Sequence, residues 1–257
     1  MHAHFSDHVY SLHSHDTYSF GITEEGAQSF RCRGADHTSA AGMVMAFNPD
    51  EVHDGRAAAE LGYHYRIVHI GPSVVHDILD DASDGRSRAL PLFVRPVLTD
   101  QVLTRALARL HASLLDTSSD FLREELLTAA VLTMAERGAT RAPRLRTLAG
   151  AEQRRAARKA RAVLDETLLE PLSAHRLALA VGCSRFALYR AFQAEYGMAP
   201  SDYQRLLRLR RARRLLASGM SPADAATTSG FSDQAHFNRW FKRTYGITPG
   251  TYQHSVG

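Results

Sequence analysis

The chain has 257 residues, 44% hydrophobic and 23% charged, with a formal charge of +4 and two cysteines. That length allows two domains with ordinary cores. Cys32 and Cys183 lie far apart and form no metal-ligand spacing, which excludes a disulfide scaffold and leads us to expect a reduced, cytoplasmic protein. No apolar run approaches membrane-spanning length, and the N-terminal residues lack a basic-then-apolar signal layout, so no membrane partner is expected.

In chain order, residues 9–13, 18–22, 29–33 and 43–47 mix β-formers with alternation, as does 63–70, which ends at Gly71-Pro72. Glu24-Glu25-Gly26, Arg33-Gly34-Ala35-Asp36 and Asn48-Pro49-Asp50 are turn signals between them. Short strands at this spacing predict a small antiparallel barrel or jelly roll. A short helix is expected over Ser73–Asp80, then a polar loop over 81–88. Helix 99–115 carries Val102, Leu103, Leu107, Leu110 and Leu114 on one stripe, and helix 120–137 carries Leu122, Leu126, Leu127, Val131 and Met134. Joined by Asp116-Thr117-Ser118-Ser119, the two make an antiparallel hairpin that either covers the barrel or pairs with a second copy. Residues 139–152 read as a linker, and 153–169 as a basic amphipathic helix.

The stretch 173–253 is written twice. Tyr196-Gly197-Met198-Ala199-Pro200-Ser201-Asp202-Tyr203-Gln204 returns 49 residues later as Tyr245-Gly246-Ile247-Thr248-Pro249-Gly250-Thr251-Tyr252-Gln253. Leu188, Arg190 and Phe192 likewise match Phe237, Arg239 and Phe241, while Gly182 and Gly230 stand 48 apart. Each copy reads helix, tight turn, helix, with Ser173, Ser184, Ser221 and Asp233 at helix starts and close-packing alanines such as Ala225 and Ala226. A plain helical bundle would not explain why charge concentrates here. Residues 1–150 hold 14 Lys+Arg against 19 Asp+Glu (−5), and residues 151–257 hold 17 against 8 (+9), which together give +4. The basic half is expected to meet a polyanion.

Residues 153–254 resemble the DNA-binding region of the AraC/XylS family of bacterial transcription regulators. The resemblance is carried by the paired units, the turn Gly230-Phe231-Ser232-Asp233, the run Phe237-Asn238-Arg239-Trp240-Phe241-Lys242 and the closing Gly246-Ile247-Thr248-Pro249-Gly250-Thr251-Tyr252. Residues 10–70 more loosely resemble the cupin-like effector domain that precedes it in many members, through His13-Ser14-His15, Gly42 to Phe47 and Asn48 to His53. The resemblance implies an effector-binding and dimerisation domain over 1–138. It also implies a DNA-binding domain over 153–257, with helix-turn-helix units near 173–196 and 221–245 joined by a helix over 201–218. The expected partners are double-stranded DNA, a small-molecule effector, a second copy of the chain and RNA polymerase, with the protein acting as a regulator such as an activator and not as an enzyme.

A helix in the major groove can read guanine through Arg and adenine through Gln. Arg185, Phe186, Tyr189 and Arg190 on the first reading helix, and Gln234, His236, Asn238 and Arg239 on the second, are the candidate base contacts; Ala235 has no donor or acceptor. By resemblance, Phe186, Arg190, Gln234 and Arg239 fall where the family faces bases. Ser173, Ser184, Ser221, Lys242 and Thr248 are candidate phosphate contacts. Arg205, Arg208, Arg210, Arg211, Arg213 and Arg214 on the connecting helix read either as a phosphate ladder or as a solvated face opposite Leu206, Leu209, Leu215 and Leu216. Eighteen residues at ~1.5 Å each make that helix roughly 27 Å long, compared with ~34 Å per turn of B-DNA.

In the front half, His13, His15, Tyr18, Phe20, Phe47, His53, Tyr65 and Ile67 are candidates for lining an effector pocket, with barrel core as the alternative for the Phe and Ile residues. His13, His15 and His53 also resemble the metal triad of cupin enzymes, with His64 and His69 on another strand. Ser19 or Phe20 stands where those enzymes place a Glu, and eleven of the fourteen histidines fall in this half. A metal-free pocket without a cofactor is the expectation. A three-imidazole site is the alternative, as are a metal-dependent enzyme with a DNA-binding tail and a constitutive regulator with a structural barrel.

Overall fold

The computed structural model describes residues 1–5, 9–58, 62–87 and 89–256. Strands β1 (His2–Phe5), β2 (Tyr10–His13), β3 (Tyr18–Cys32), β4 (Ala35–Ala40), β5 (Val44–Phe47), β6 (His53–Ala57) and β7 (Tyr63–Ile70) come first. Helix α1 (Pro72–Ser83), strand β8 (Val97–Leu98) and helices α2 (Gln101–Leu115) and α3 (Asp120–Arg137) follow. The remainder is helical: α4 (Gly150–Glu166), α5 (Ala174–Val181), α6 (Arg185–Tyr196), α7 (Pro200–Ala217), α8 (Pro222–Thr228), α9 (Gln234–Tyr245) and α10 (Pro249–Val256). The chain divides into a unit of residues 1–112 and 126–146 and a unit of residues 113–125 and 147–257.

The first unit is an antiparallel sheet-rich domain built around β3. The run Glu24-Glu25-Gly26 does not turn the chain. β3 continues through it for 15 residues, and the register against β7 slips between Thr23 and Glu25. This is a bulge, and Gly26 supplies the positive φ (69°) it needs. A Cβ at Gly26 would also lie 2.1 Å from the Gly62 carbonyl oxygen, so only glycine lets the two backbones approach. β3 pairs with β5 before the bulge and with β4 and β6 beyond it, while its pairing with β7 runs from Tyr18 across the bulge to Gly26. One strand thus serves two faces of an open barrel, with strand order β1-β7-β3-β5-β8 and β2 joined through β6. The expected turn at Arg33-Gly34 does form: both residues have positive φ, and the hairpin closes on Cys32 and Ala35.

Alternation along β3 and β7 sorts the side chains. Phe30, Met45, Phe47, Tyr63, Tyr65 and Ile67 cluster on the inner face. Tyr18 and Phe20 pack against Phe93 instead, at ring-centroid separations of 5.9 and 5.2 Å. Helix α1 runs on to Ser83, into what reads from sequence as loop 81–88; Arg88 lies outside the described residues. On α2, Leu103, Leu107 and Leu110 are buried, whereas Val102 and Leu114 are exposed, so the apolar stripe is narrower than the spacing predicts. Helix α4 begins at Gly150, inside the expected linker.

In the second unit the duplication is visible in the elements themselves. α6 and α9 are each 12 residues long and begin and end 49 residues apart. Gly197 and Gly246 close them with positive φ, and Pro200 and Pro249 open the helices that follow. The side chains of Ser173, Ser184, Ser221 and Asp233 each accept a hydrogen bond from a first-turn backbone N–H. Each copy has its own core, Leu177, Leu188 and Phe192 in the first and Ala225, Phe237 and Phe241 in the second. Helix α7 feeds both, with Tyr203 in one and Leu209, Ala212 and Leu216 in the other.

Candidate nucleic-acid interface and barrel chamber

Helices α6 and α9 follow a tight turn and keep one face exposed, which is the geometry of a reading helix. On α6, Arg190 is exposed, its guanidinium 5.8 Å from the Phe186 ring centroid, and Arg185, Phe186 and Tyr189 are half-buried beside it. On α9, Gln234, Ala235 and Arg239 are exposed and Asn238 is half-buried. His236 does not belong with them. It is 8% exposed, its ring lies edge-on to Phe231 and Trp240, and burial holds its pKa below the ordinary imidazole value. Its side chain turns to the core side, between Phe231 and Trp240, and not to the exposed face of α9.

Arg239 is engaged within its own unit. Its guanidinium donates to Asp116 Oδ1 at 2.6 Å, and the hydroxyl of Thr117 is 3.4 Å away. Phe121, in the same stretch 113–125, joins the core of the first helix-turn-helix copy. Glu125, 8% exposed, accepts from the backbone N–H and the hydroxyl of Ser201 at the start of α7. Burial pushes its carboxyl up to about 8, against the opposing effect of those two bonds.

The arginines of α7 divide. Arg205 pairs with Asp202 and sits 3.6 Å above the Trp240 ring. Arg208 donates to the carbonyls of Leu168 (3.2 Å) and Gly230 (3.0 Å), and Arg211 donates to that of Thr228 at 3.3 Å. Arg205 thus packs α7 against α9, and Arg208 and Arg211 tie α7 to the backbone around it, so these three have partners within the protein. Arg210, Arg213 and Arg214 are exposed. The Ser173, Ser184 and Ser221 hydroxyls are occupied as caps, Thr248 Oγ1 accepts from the Thr251 N–H at 3.2 Å, and Lys242 is exposed.

In the barrel, a cavity of about 100 Å³ is lined by His13, His15, Phe47, His53, Tyr65 and Ile67 among the expected residues. Tyr18 and Phe20 are not part of it. They occupy the opposite face of β3, and the Tyr18 hydroxyl donates to the Pro91 carbonyl at 2.8 Å. Tyr10, Phe30, Met45, Tyr63 and His69 also line it, together with Met1, Gln28, Asp54 and Gly55. The period-2 run Tyr63-x-Tyr65-x-Ile67-x-His69 carried that signal in the sequence. Burial lowers the pKa of His53, His15 and His69, reinforced by their imidazole neighbours, so neutral rings are favoured there. One nitrogen from each of His13, His15 and His53 lies within 4.8 Å of the other two.

A sheet-rich chamber followed in the chain by a duplicated helix-turn-helix unit defines a DNA-binding regulator with a ligand-binding domain. Residues 1–131 match the AraC-like ligand binding domain and residues 177–255 match a helix-turn-helix domain. The chain therefore belongs to the AraC family of transcription regulators. It is 29% identical over 224 residues to the HTH-type transcriptional regulator YbfI of Bacillus subtilis, covering 87% of this chain and 80% of that protein. It is 41% identical over 100 residues to the HTH-type transcriptional regulator GlxA of Rhizobium meliloti, covering 37% of this chain and only 31% of that protein. Among solved structures, an AraC-type regulator from Chromobacterium violaceum is 32% identical, with 42% of this chain and 97% of that chain covered at a TM-score of 0.39. Among the described residues, no helix is long and apolar enough to cross a membrane.

Proposed function

We propose that this protein is a cytoplasmic, effector-switched regulator that reads two successive major-groove segments of one duplex, α6 in the first and α9 in the second, without catalytic turnover. The observation that carries the reading is the repeat of a 12-residue helix at a fixed shift of 49, each copy with a buried inner face and exposed arginine on the outer one. Arg185, Phe186, Tyr189 and Arg190 face bases from α6; Gln234, Asn238 and Arg239 do so from α9. Lys242 and the open backbone N–H groups at the capped starts near Ser173, Ser184, Ser221 and Thr248 hold phosphates, which position the protein without specifying sequence. The barrel cavity takes a small effector that favours one arrangement of a homodimer, and the bound dimer meets RNA polymerase.

The test is Arg239→Ala in the full chain, on a site recovered by genomic footprinting. Specific binding should weaken by about 1–3 kcal/mol, with binding to scrambled DNA unchanged. An equal loss on scrambled DNA would reassign Arg239 to the phosphate backbone, and no loss on either would remove it from the interface.

A further inference from the structure

Three of the residues that line the barrel cavity, His13, His15 and His53, also form a cluster of their own. His13, at the end of β2, has its Nδ1 2.8 Å from the Ser11 carbonyl oxygen, and His53, at the start of β6, has its Nδ1 2.8 Å from the Glu51 carbonyl oxygen. A carbonyl only accepts, so both Nδ1 atoms carry a proton, which leaves Nε2 as the nitrogen available to a ligand. This is the arrangement by which second-sphere carbonyls fix the tautomer of a metal-binding imidazole. Phe47 stacks on the His53 ring at 4.0 Å and 5°, which holds its plane, and the His13 and His53 rings are themselves 4.5 Å apart. His15 closes the triangle at 5.0 Å from His13 and 5.5 Å from His53.

One nitrogen from each of the three rings lies within 4.8 Å of the other two, a cluster that a single cation between them can draw together. The carboxylates nearby are already engaged: Asp54 accepts from the Arg31 N–H, and Glu51 accepts from Asn48 and pairs with Arg33. The cavity, at about 100 Å³, is far smaller than the roughly 300–1,000 Å³ of a chamber for a drug-sized ligand, but it suffices for an ion with a few waters. A neutral all-nitrogen set suits a borderline divalent ion of the zinc, nickel or cobalt class and not magnesium or calcium, which take oxygen ligands.

We propose that His13, His15 and His53 bind one divalent transition-metal ion through their imidazole nitrogens, leaving a coordination position open to the barrel cavity. The site goes beyond the effector reading and stands whether or not an organic effector binds. At ~2.0–2.1 Å per bond the nitrogens of a tetrahedral site lie about 3.4 Å apart, so the half-exposed His13 and His15 side chains move inward on binding.

The test uses untagged full-length protein, stripped with chelator and titrated with cobalt(II) and zinc(II), read by visible absorption and by elemental analysis after dialysis. One ion per chain with a nitrogen-ligated cobalt spectrum is expected. His13→Gln and His15→Gln should each weaken binding by about 100-fold or more, with the melting profile retained. His64→Gln is the control, because His64 stacks with His4 at 4.1 Å and is the competing surface pair. Substoichiometric metal, unchanged affinity in the His13 and His15 variants, or loss of the ion in His64→Gln would each overturn the proposal. DNA binding is measured separately, so failure here leaves the reading of α6 and α9 untouched.

Discussion

Glu125→Gln isolates the cost of a buried carboxyl at the start of α7. Burial raises the Glu125 carboxyl to about 8 in the folded chain, from an ordinary value of 4.5, despite the two hydrogen bonds from Ser201; Asp202 adds to the rise and Arg205 opposes it. The folded state therefore keeps this proton to higher pH than the unfolded state does. Stability from this group is full below the ordinary value and is lost as pH rises, levelling off above about 8. With about 1.36 kcal/mol per unit, the loss is on the order of 2–3 kcal/mol between pH 5 and 7, and about 1 kcal/mol more by pH 9. Glutamine keeps an oxygen for the Ser201 N–H and offers an amide to its hydroxyl, so it holds the contact without the charge. The assay is urea unfolding at a series of pH values followed by fluorescence of Trp240, the single tryptophan. Trp240 lies in the same unit as Glu125, so the signal reports the region concerned. His236, with its lowered pKa, contributes a slope of the opposite sign in both proteins, so the quantity read is the difference between variant and wild type. The variant should gain on wild type progressively from pH 5 to pH 8. A constant difference across that range would refute a buried, proton-holding Glu125.

Other consequences follow from the same packing. Asp116→Asn removes the 2.6 Å ion pair to Arg239, an exposed pair worth at most about 1 kcal/mol, so specific DNA affinity should rise two- to fivefold by fluorescence anisotropy. Unchanged affinity would mean that Arg239 takes no part in the complex. Gly230→Ala forces a side chain onto φ 82° and sets its Cβ 3.1 Å from Arg208 Nε, whereas Gly182→Ala meets nothing within 4 Å at φ 85°. Both should cost about 1–2 kcal/mol of backbone strain, with Gly230→Ala the larger because Arg208 must shift; equal losses in urea titration would contradict the Arg208 contact. Phe237→Ala, removing a ring packed against Phe231 and Phe241 at 5.1 and 5.4 Å, should cost about 3–5 kcal/mol in the same titration.

The helical half was legible because its signals are local and repeated. Capping residues, Gly197 and Gly246, and aromatic pairs one turn apart each fix a helix end or face without reference to distant residues. The burial of His236 was not legible, because adjacency to Phe237 does not reveal which way a helix start is rolled against its core. The Glu125–Ser201 contact and the carbonyl bonds of Arg208 join positions remote in sequence, and nothing in composition announces them. In the barrel, alternation along Tyr63–Ile70 was visible, but the slip at Thr23–Glu25 was not. That slip decides which residues of β3 face the cavity, and it moved Tyr18 and Phe20 to the opposite face while bringing Phe30 in.

Methylation interference on a footprinted operator, with the full-length protein, examines the two-helix reading most directly. The account predicts two clusters of guanine N7 interference on one face of the duplex, centred about 10–10.5 base pairs apart, with Arg190→Ala erasing one and Arg239→Ala the other. A single cluster, or two that respond together to either substitution, would contradict it.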